Sequence, residues 1–144
     1  MQKELIKWYQ ENKRDFPWRK DQDPYHIWIS EIMLQQTTTE TVIPYYNRFL
    51  KNFPNVEALA SASLEEVYKM WEGLGYYRRA KHIHESAQII LEKYQGVFPY
   101  EYDAILSLKG IGEYTAGAIS SIAYGKQVPA VDGNVLRIMS RYYL

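Results

Sequence analysis

"LKGIGEYTAGAI", residues 108–119, sets two glycines around one isoleucine and continues as an apolar helical run. Glycine lacks a Cβ and tolerates positive φ, so the chain can turn tightly here and another molecule can approach the backbone closely. A helix that starts directly after the turn presents free N–H groups and the positive end of its dipole, which together favour an anion.

Outward from this turn the patterning is helical almost throughout. Upstream, Tyr102–Ser107 reads as a short helix, and Tyr76–Tyr94 as the longest one, with Ile83, Ala87, Ile90 and Leu91 on one face. Gly96 and Pro99 stop it. Ser63-Leu64-Glu65-Glu66 is a capping box that opens a helix to Trp71, closed by Gly73 and Gly75. Val56–Ala60 makes a short helix, and Thr38–Leu50 a longer one with Val42, Ile43, Tyr46 and Phe49 inward. Asp23-Pro24, an N-cap followed by proline at the first helical position, opens a helix whose apolar side includes Ile27, Trp28 and Ile32. A first helix carries Leu5, Ile6, Trp8 and Tyr9 before "RDFPWRKDQDP" breaks it. Downstream, a helix over Glu113–Tyr124 leads to the loop "GKQVPAVDGN", and Asp132 opens a last helix to Leu144. No segment alternates as a strand. The expected fold class is all-α.

The 144 residues suffice for one buried core, and 47% hydrophobic with 24% charged residues indicate a folded chain. No apolar run approaches the roughly 18 residues of a membrane span. The charged N-terminus lacks a signal-peptide core, so the expectation is a cytoplasmic protein with no membrane partner. There is no cysteine, which removes disulfides, thiolate catalysis and cysteine-held metals from this chain. His26, His82 and His84 have no metal-ligand context, and His82 and His84 point to different helix faces. Net charge is zero, mildly against a nucleic-acid binder, yet Arg78, Arg79 and Lys81 cluster behind Tyr76 and Tyr77 and can give a neutral chain a basic face.

The glycine turn between two short helices is the helix-hairpin-helix pattern, which grips nucleic-acid backbone without reading bases. An ordinary Schellman-type link has the same short signature, and the company of the motif decides between them. "FPWR", "DPYHIWISEIMLQQT", "WEGLGYYRRA", "LKGIGEYTAGAI" and "VDGNVLRI" cover most of the chain in order. Together they closely resemble the adenine DNA glycosylase (MutY) family of the helix-hairpin-helix superfamily that also contains endonuclease III. "SEIMLQQT" is specific to the adenine branch.

The resemblance implies a fold and a chemistry. The fold would be a six-helix barrel over residues 21–130, with the helix-hairpin-helix at 102–124. Residues 1–20 and 131–144 would belong to an incomplete second domain, cut from a longer parent. The activity implied is hydrolysis of the N-glycosidic bond of adenine mispaired with 8-oxoguanine or guanine in double-stranded DNA, by a monomer, without strand cleavage. Longer relatives carry a 4Fe–4S cluster on four cysteines, none of which is present here. An inactive DNA-binding remnant is the rival reading.

Several residues carry two readings. Asp132 is a helix N-cap by position; by resemblance it faces the scissile sugar and stabilises positive charge at C1′. Glu31 lies in an apolar helix, either on a solvated face or held for chemistry; the resemblance makes it the general acid that protonates adenine N7. Tyr114 either packs on the hairpin or, by resemblance, hydrogen-bonds in the active site where endonuclease III has a Schiff-base lysine. Gln36 and Tyr76 match positions that enter the duplex near the lesion, with Thr37 beside them. The alternatives are a polar helix end for Gln35-Gln36-Thr37 and core packing for the tyrosines. Trp18 and Arg19 resemble adenine-pocket residues, or are a core cover and a surface arginine. Arg78, Lys109, Gly110, Gly112 and Thr115 are expected at the DNA backbone. Main-chain carbonyls of Leu106, Leu108 and Ile111 would hold a hairpin cation, as in the family.

Overall fold

A computed structural model describes residues 1–144. Its helices are α1 (Gln2–Asn12), α2 (Pro24–Leu34), α3 (Thr39–Asn52), α4 (Val56–Ser61), α5 (Leu64–Trp71), α6 (Arg78–Tyr94), α7 (Tyr102–Leu106), α8 (Glu113–Tyr124) and α9 (Gly133–Tyr143). The chain is all-α, and no helix is long and apolar enough to cross a membrane.

Helix α2 is the central strut. Asp23 caps it by accepting from the Tyr25 N–H, and Pro24 occupies the first turn. The expected apolar side of Ile27, Trp28 and Ile32 is buried, and the burial extends around the helix. Tyr25, Ile29 and Met33 are buried as well, because α3, α6 and α8 pack around the helix. A helix apolar on every side is enclosed by its neighbours. Glu31 is carried into this interior with them. Helix α4 lies on α6, α5 on α3 and α6, and α7 on α8. The capping box at α5 forms in full, with Glu66 bonded to the Ser63 N–H and Ser63 to the Glu66 N–H.

Three local features differ from the sequence reading. Pro17–Arg19 form a 3-10 turn inside the stretch read as a break. Helix α6 begins at Arg78, two residues later than expected. Tyr76 stands before it at φ 49°, in a left-handed conformation that ends any helical run. Of the two hairpin glycines, only Gly110 has positive φ, +76°, as the third residue of a turn closed by the Ile111 N–H to the Leu108 carbonyl; that is the glycine position of a type II turn. Gly112 has φ −98°, which any residue adopts.

The amphipathic helices α1 and α9 bury no residue. Leu5, Ile6, Trp8 and Tyr9 on α1, and Leu136, Ile138, Tyr142 and Tyr143 on α9, are exposed.

Candidate active site

Four segments converge on one cleft of about 480 Å³: the 3-10 turn, the C-terminal half of α2 with residues 35–39, the start of α8 and the start of α9. Glu31, Tyr114, Asp132, Arg19, Trp18 and Gln36 all line it. These residues lie more than a hundred positions apart at the extremes, Trp18 and Asp132, and the fold brings them to one place.

Glu31 is 5% exposed, which rules out the solvated-face reading. Burial raises its carboxyl above the usual carboxylate range, against the opposing pull of the Arg19 guanidinium and the Tyr114 hydroxyl. Arg19 Nη2 stands 3.8 Å from Glu31 Oε1. The arginine therefore limits the cost of ionising Glu31 without making a tight pair. Tyr114 is pushed up to about 12, first by burial and then by the charges of Glu31 and Asp132. Its hydroxyl stays protonated at any physiological pH and is available as a donor.

Asp132 combines its expected cap with a place at the cleft. Its Oδ1 accepts from the Val135 N–H at 2.8 Å, so it does cap α9, while the residue also borders the cleft. Asn134 Nδ2 reaches its other oxygen at 3.4 Å, and Arg137 Nη1 donates to Asn134 Oδ1 at 3.0 Å. The carboxylate is thus fixed by its own helix. Trp18 likewise has two roles: it is buried, stacked on Phe16 at 5.0 Å and edge-on to Tyr46 at 5.4 Å, and it forms part of the cleft wall.

The expected backbone contacts separate. The N–H groups of Glu113, Tyr114 and Thr115 precede the first closed turn of α8, whose first bond runs from the Ala116 N–H to the Gly112 carbonyl. Gly112 has open space where a Cβ would stand, so nothing obstructs approach to those amides. Thr115, expected at the DNA backbone, is buried, so its side chain is withdrawn from the surface. Lys109 is exposed but pairs with Glu85, Nζ to Oε2 at 3.1 Å. The Leu106 and Ile111 carbonyls accept no hydrogen bond, whereas that of Leu108 accepts from Ile111.

A second groove of about 540 Å³ adjoins the cleft through Gln35 and Gln36, and is lined further by Tyr76, Arg78, Arg79 and His82. Gln36 and Tyr76 are exposed at its rim, so Tyr76 is not a core residue. Thr37 is half-buried beside them, its N–H bonded to the Leu34 carbonyl at 3.4 Å. Arg79, read from the sequence as part of a basic cluster, is turned inward: Nη1 reaches the carbonyls of Ile32, Met33 and Gln35, and Nη2 that of Gly75. A guanidinium reads in sequence as a surface charge, and no local pattern announces that a distant helix end needs it.

Sequence reading also missed Leu34, Gln35, Thr39 and Asn134 in the cleft, and Gly117 behind it. A Cβ at Gly117 would meet the Pro129 carbonyl oxygen at 2.1 Å. The missing side chain lets the loop before Asp132 lie directly on α8. The only sequence signal is a glycine in mid-helix, a place where glycine costs stability and therefore suggests close packing.

Known proteins share this chain's sequence and fold. An adenine DNA glycosylase of Buchnera aphidicola (Acyrthosiphon pisum strain) is 50% identical over 140 residues, covering 96% of this chain and 40% of that protein. The chain thus spans well under half the length of that relative. A thermostable thymine-DNA glycosylase superposes with a TM-score of 0.89 at 33% identity, over 97% of this chain and 68% of its own. A trapped covalent complex of endonuclease III with DNA, containing an estranged adenine, gives 0.82 at 25% identity, over 94% and 63%. The model of the HhH-GPD superfamily matches residues 29–144, a span running from the helix of Glu31 past Asp132. The chain belongs to the HhH-GPD superfamily of base excision DNA repair proteins.

Proposed function

We propose that this chain removes adenine, mispaired with 8-oxoguanine or guanine, from double-stranded DNA by hydrolysing its N-glycosidic bond. The observation that carries the proposal is the cleft in which a buried carboxyl of raised pKa, Glu31, shares space with Asp132 and a neutral tyrosine. Two carboxylates in different surroundings divide the labour of glycoside cleavage. Glu31 donates a proton to adenine N7. The C1′–N9 bond breaks with its electron pair going to nitrogen, and adenine leaves neutral. Asp132, held by the α9 amides, stabilises the positive charge left at C1′. Water adds to C1′ and returns a proton to the Glu31 carboxylate, leaving an abasic site. The likeness to proteins named adenine DNA glycosylase supports the choice of base.

No lysine lines the cleft, and the residue after Glu113 is a tyrosine, so the reaction stops at base removal. The hairpin and the free amides of α8 take the DNA backbone. The Leu106, Leu108 and Ile111 carbonyls, two of them free of internal hydrogen bonds, would hold a small cation, whose charge would attract phosphate.

A second reading, binding without excision, is favoured by α9, which carries Asp132 yet buries no residue. Single-turnover assay separates the two. With protein in excess over an A:8-oxoguanine duplex, the proposal predicts adenine release and an alkali-labile site. Binding with no release would support the second reading.

A further inference from the structure

Three non-glycine residues in the molecule adopt positive φ: Gln36 at 59°, Tyr76 at 49° and Gln95 at 53°. Gln95 ends α6, where a left-handed residue is an ordinary helix terminator. The other two stand on separate loops, 40 positions apart, and face the same groove. A left-handed backbone is unfavourable for residues with a Cβ and persists where the surroundings hold it.

One side chain joins both loops. The Arg79 Nη1 lies 2.7 Å from the carbonyl of Gln35, the residue before Gln36, and Nη2 lies 3.2 Å from that of Gly75, the residue before Tyr76. Nη1 also meets the last-turn carbonyls of Ile32 and Met33 at 2.7 and 3.1 Å, at the negative end of the α2 dipole. The guanidinium packs over the Trp71 ring at 5.4 Å and the Tyr76 ring at 5.5 Å, while Trp71 Nε1 donates to the Gly75 carbonyl at 3.0 Å.

We infer that Arg79 is a positioning residue that holds Gln36 and Tyr76 at a fixed spacing, so that both enter the duplex together when the mispair is probed. The inference rests on the function proposed above. A planar fork is required, because its two terminal nitrogens reach two separate loops. Lysine offers one nitrogen, enough to meet the end of α2 or the Gly75 carbonyl but not both. The two functions of Arg79, helix cap and loop bridge, are therefore separable by Arg79→Lys.

The test combines hydrogen exchange with a double-mutant cycle. In the free 144-residue chain, Arg79→Lys should leave melting close to parental and speed amide exchange at Thr37 and Leu74, whose N–H groups bond the Leu34 and Trp71 carbonyls, at least tenfold, with α4 amides unchanged. Equal exchange in parent and variant would overturn the coupling. For DNA, all proteins carry Glu31→Gln to keep adenine in place, and are titrated with an A:8-oxoguanine duplex and its fully paired counterpart. Arg79→Lys and Arg79→Met should each cut the affinity ratio between these duplexes at least tenfold, with the salt dependence of non-specific binding unchanged. In a Gln36→Ala/Tyr76→Ala background, the same Arg79 changes should lower that ratio no further. A full additional loss there would overturn the inference and leave Arg79 a helix cap only. If the parent chain binds both duplexes equally, the proposed function fails, while the exchange result still decides the coupling.

Discussion

Glu31 is the residue on which chemistry and stability conflict. Its carboxyl is buried and its pKa raised, so the folded chain holds the proton to higher pH than the unfolded chain does. Folding stability is then full below the ordinary value of about 4.5 and declines as pH rises through the folded value. Glu31→Gln removes this penalty. Melting curves across pH should show the variant gaining on the parent as pH rises, with the smallest difference in acid. Excision should move the other way. Loss of general acid–base help typically costs ~10²–10⁴-fold, and parental activity should fall on the alkaline side as Glu31 ionises. Asp132→Asn keeps the cap, since an asparagine oxygen can accept from the Val135 N–H as the carboxylate does. It removes the charge facing C1′, so excision should drop by about 3 kcal/mol of transition-state stabilisation with little change in melting. Tyr114, neutral with a pKa near 12, provides no amine, so borohydride should trap no protein–DNA adduct. These three residues were legible as a set only through resemblance. Spacing alone left Asp132 as a cap, and an isolated carboxylate in an apolar helix does not declare whether water reaches it.

At the scale of elements, the glycines have distinct roles that sequence merged. Gly110 holds positive φ, and a Cβ there would stand 3.0 Å from His82. Gly112 has ordinary φ and open space. Gly110→Ala should therefore lower the melting temperature, whereas Gly112→Val should leave melting near parental and weaken binding to all duplexes alike, by obstructing the α8 amides. Thermal denaturation beside an anisotropy titration checks both. Gly117→Ala should cost roughly 1–3 kcal/mol, as expected for overpacking against a rigid backbone carbonyl. It should also reduce excision, because the displaced loop carries Asp132. Helix positions followed from capping and apolar period, because those signals are local. The start of α6 did not, because Tyr76 turns left-handed at φ 49° with no glycine or asparagine at that position to announce it. Gly117 and Arg79 were illegible because each is explained by a partner more than ten residues away.

Over the whole molecule, the proposed function requires a chain of zero net charge to bind DNA through local arrangement. Two of the cations near the expected DNA face are engaged within the protein, Arg79 of the basic cluster with carbonyls and Lys109 of the hairpin with Glu85. The Lys109 ammonium, bonded to Glu85, holds that half-buried carboxyl below its usual range. Exposed pairs are weak and salt-screened, so a phosphate can take over Lys109. Glu85→Gln should tighten binding to any duplex and steepen its salt dependence, because a lysine is released to the backbone. Protonation of the departing adenine by Glu31 defines the proposed reaction. Single-turnover excision from an A:8-oxoguanine duplex, at saturating protein, compares parent and Glu31→Gln side by side. The parent should release adenine, and the variant should do so at least ~10²-fold more slowly with binding retained; equal rates would remove Glu31 from the role of general acid.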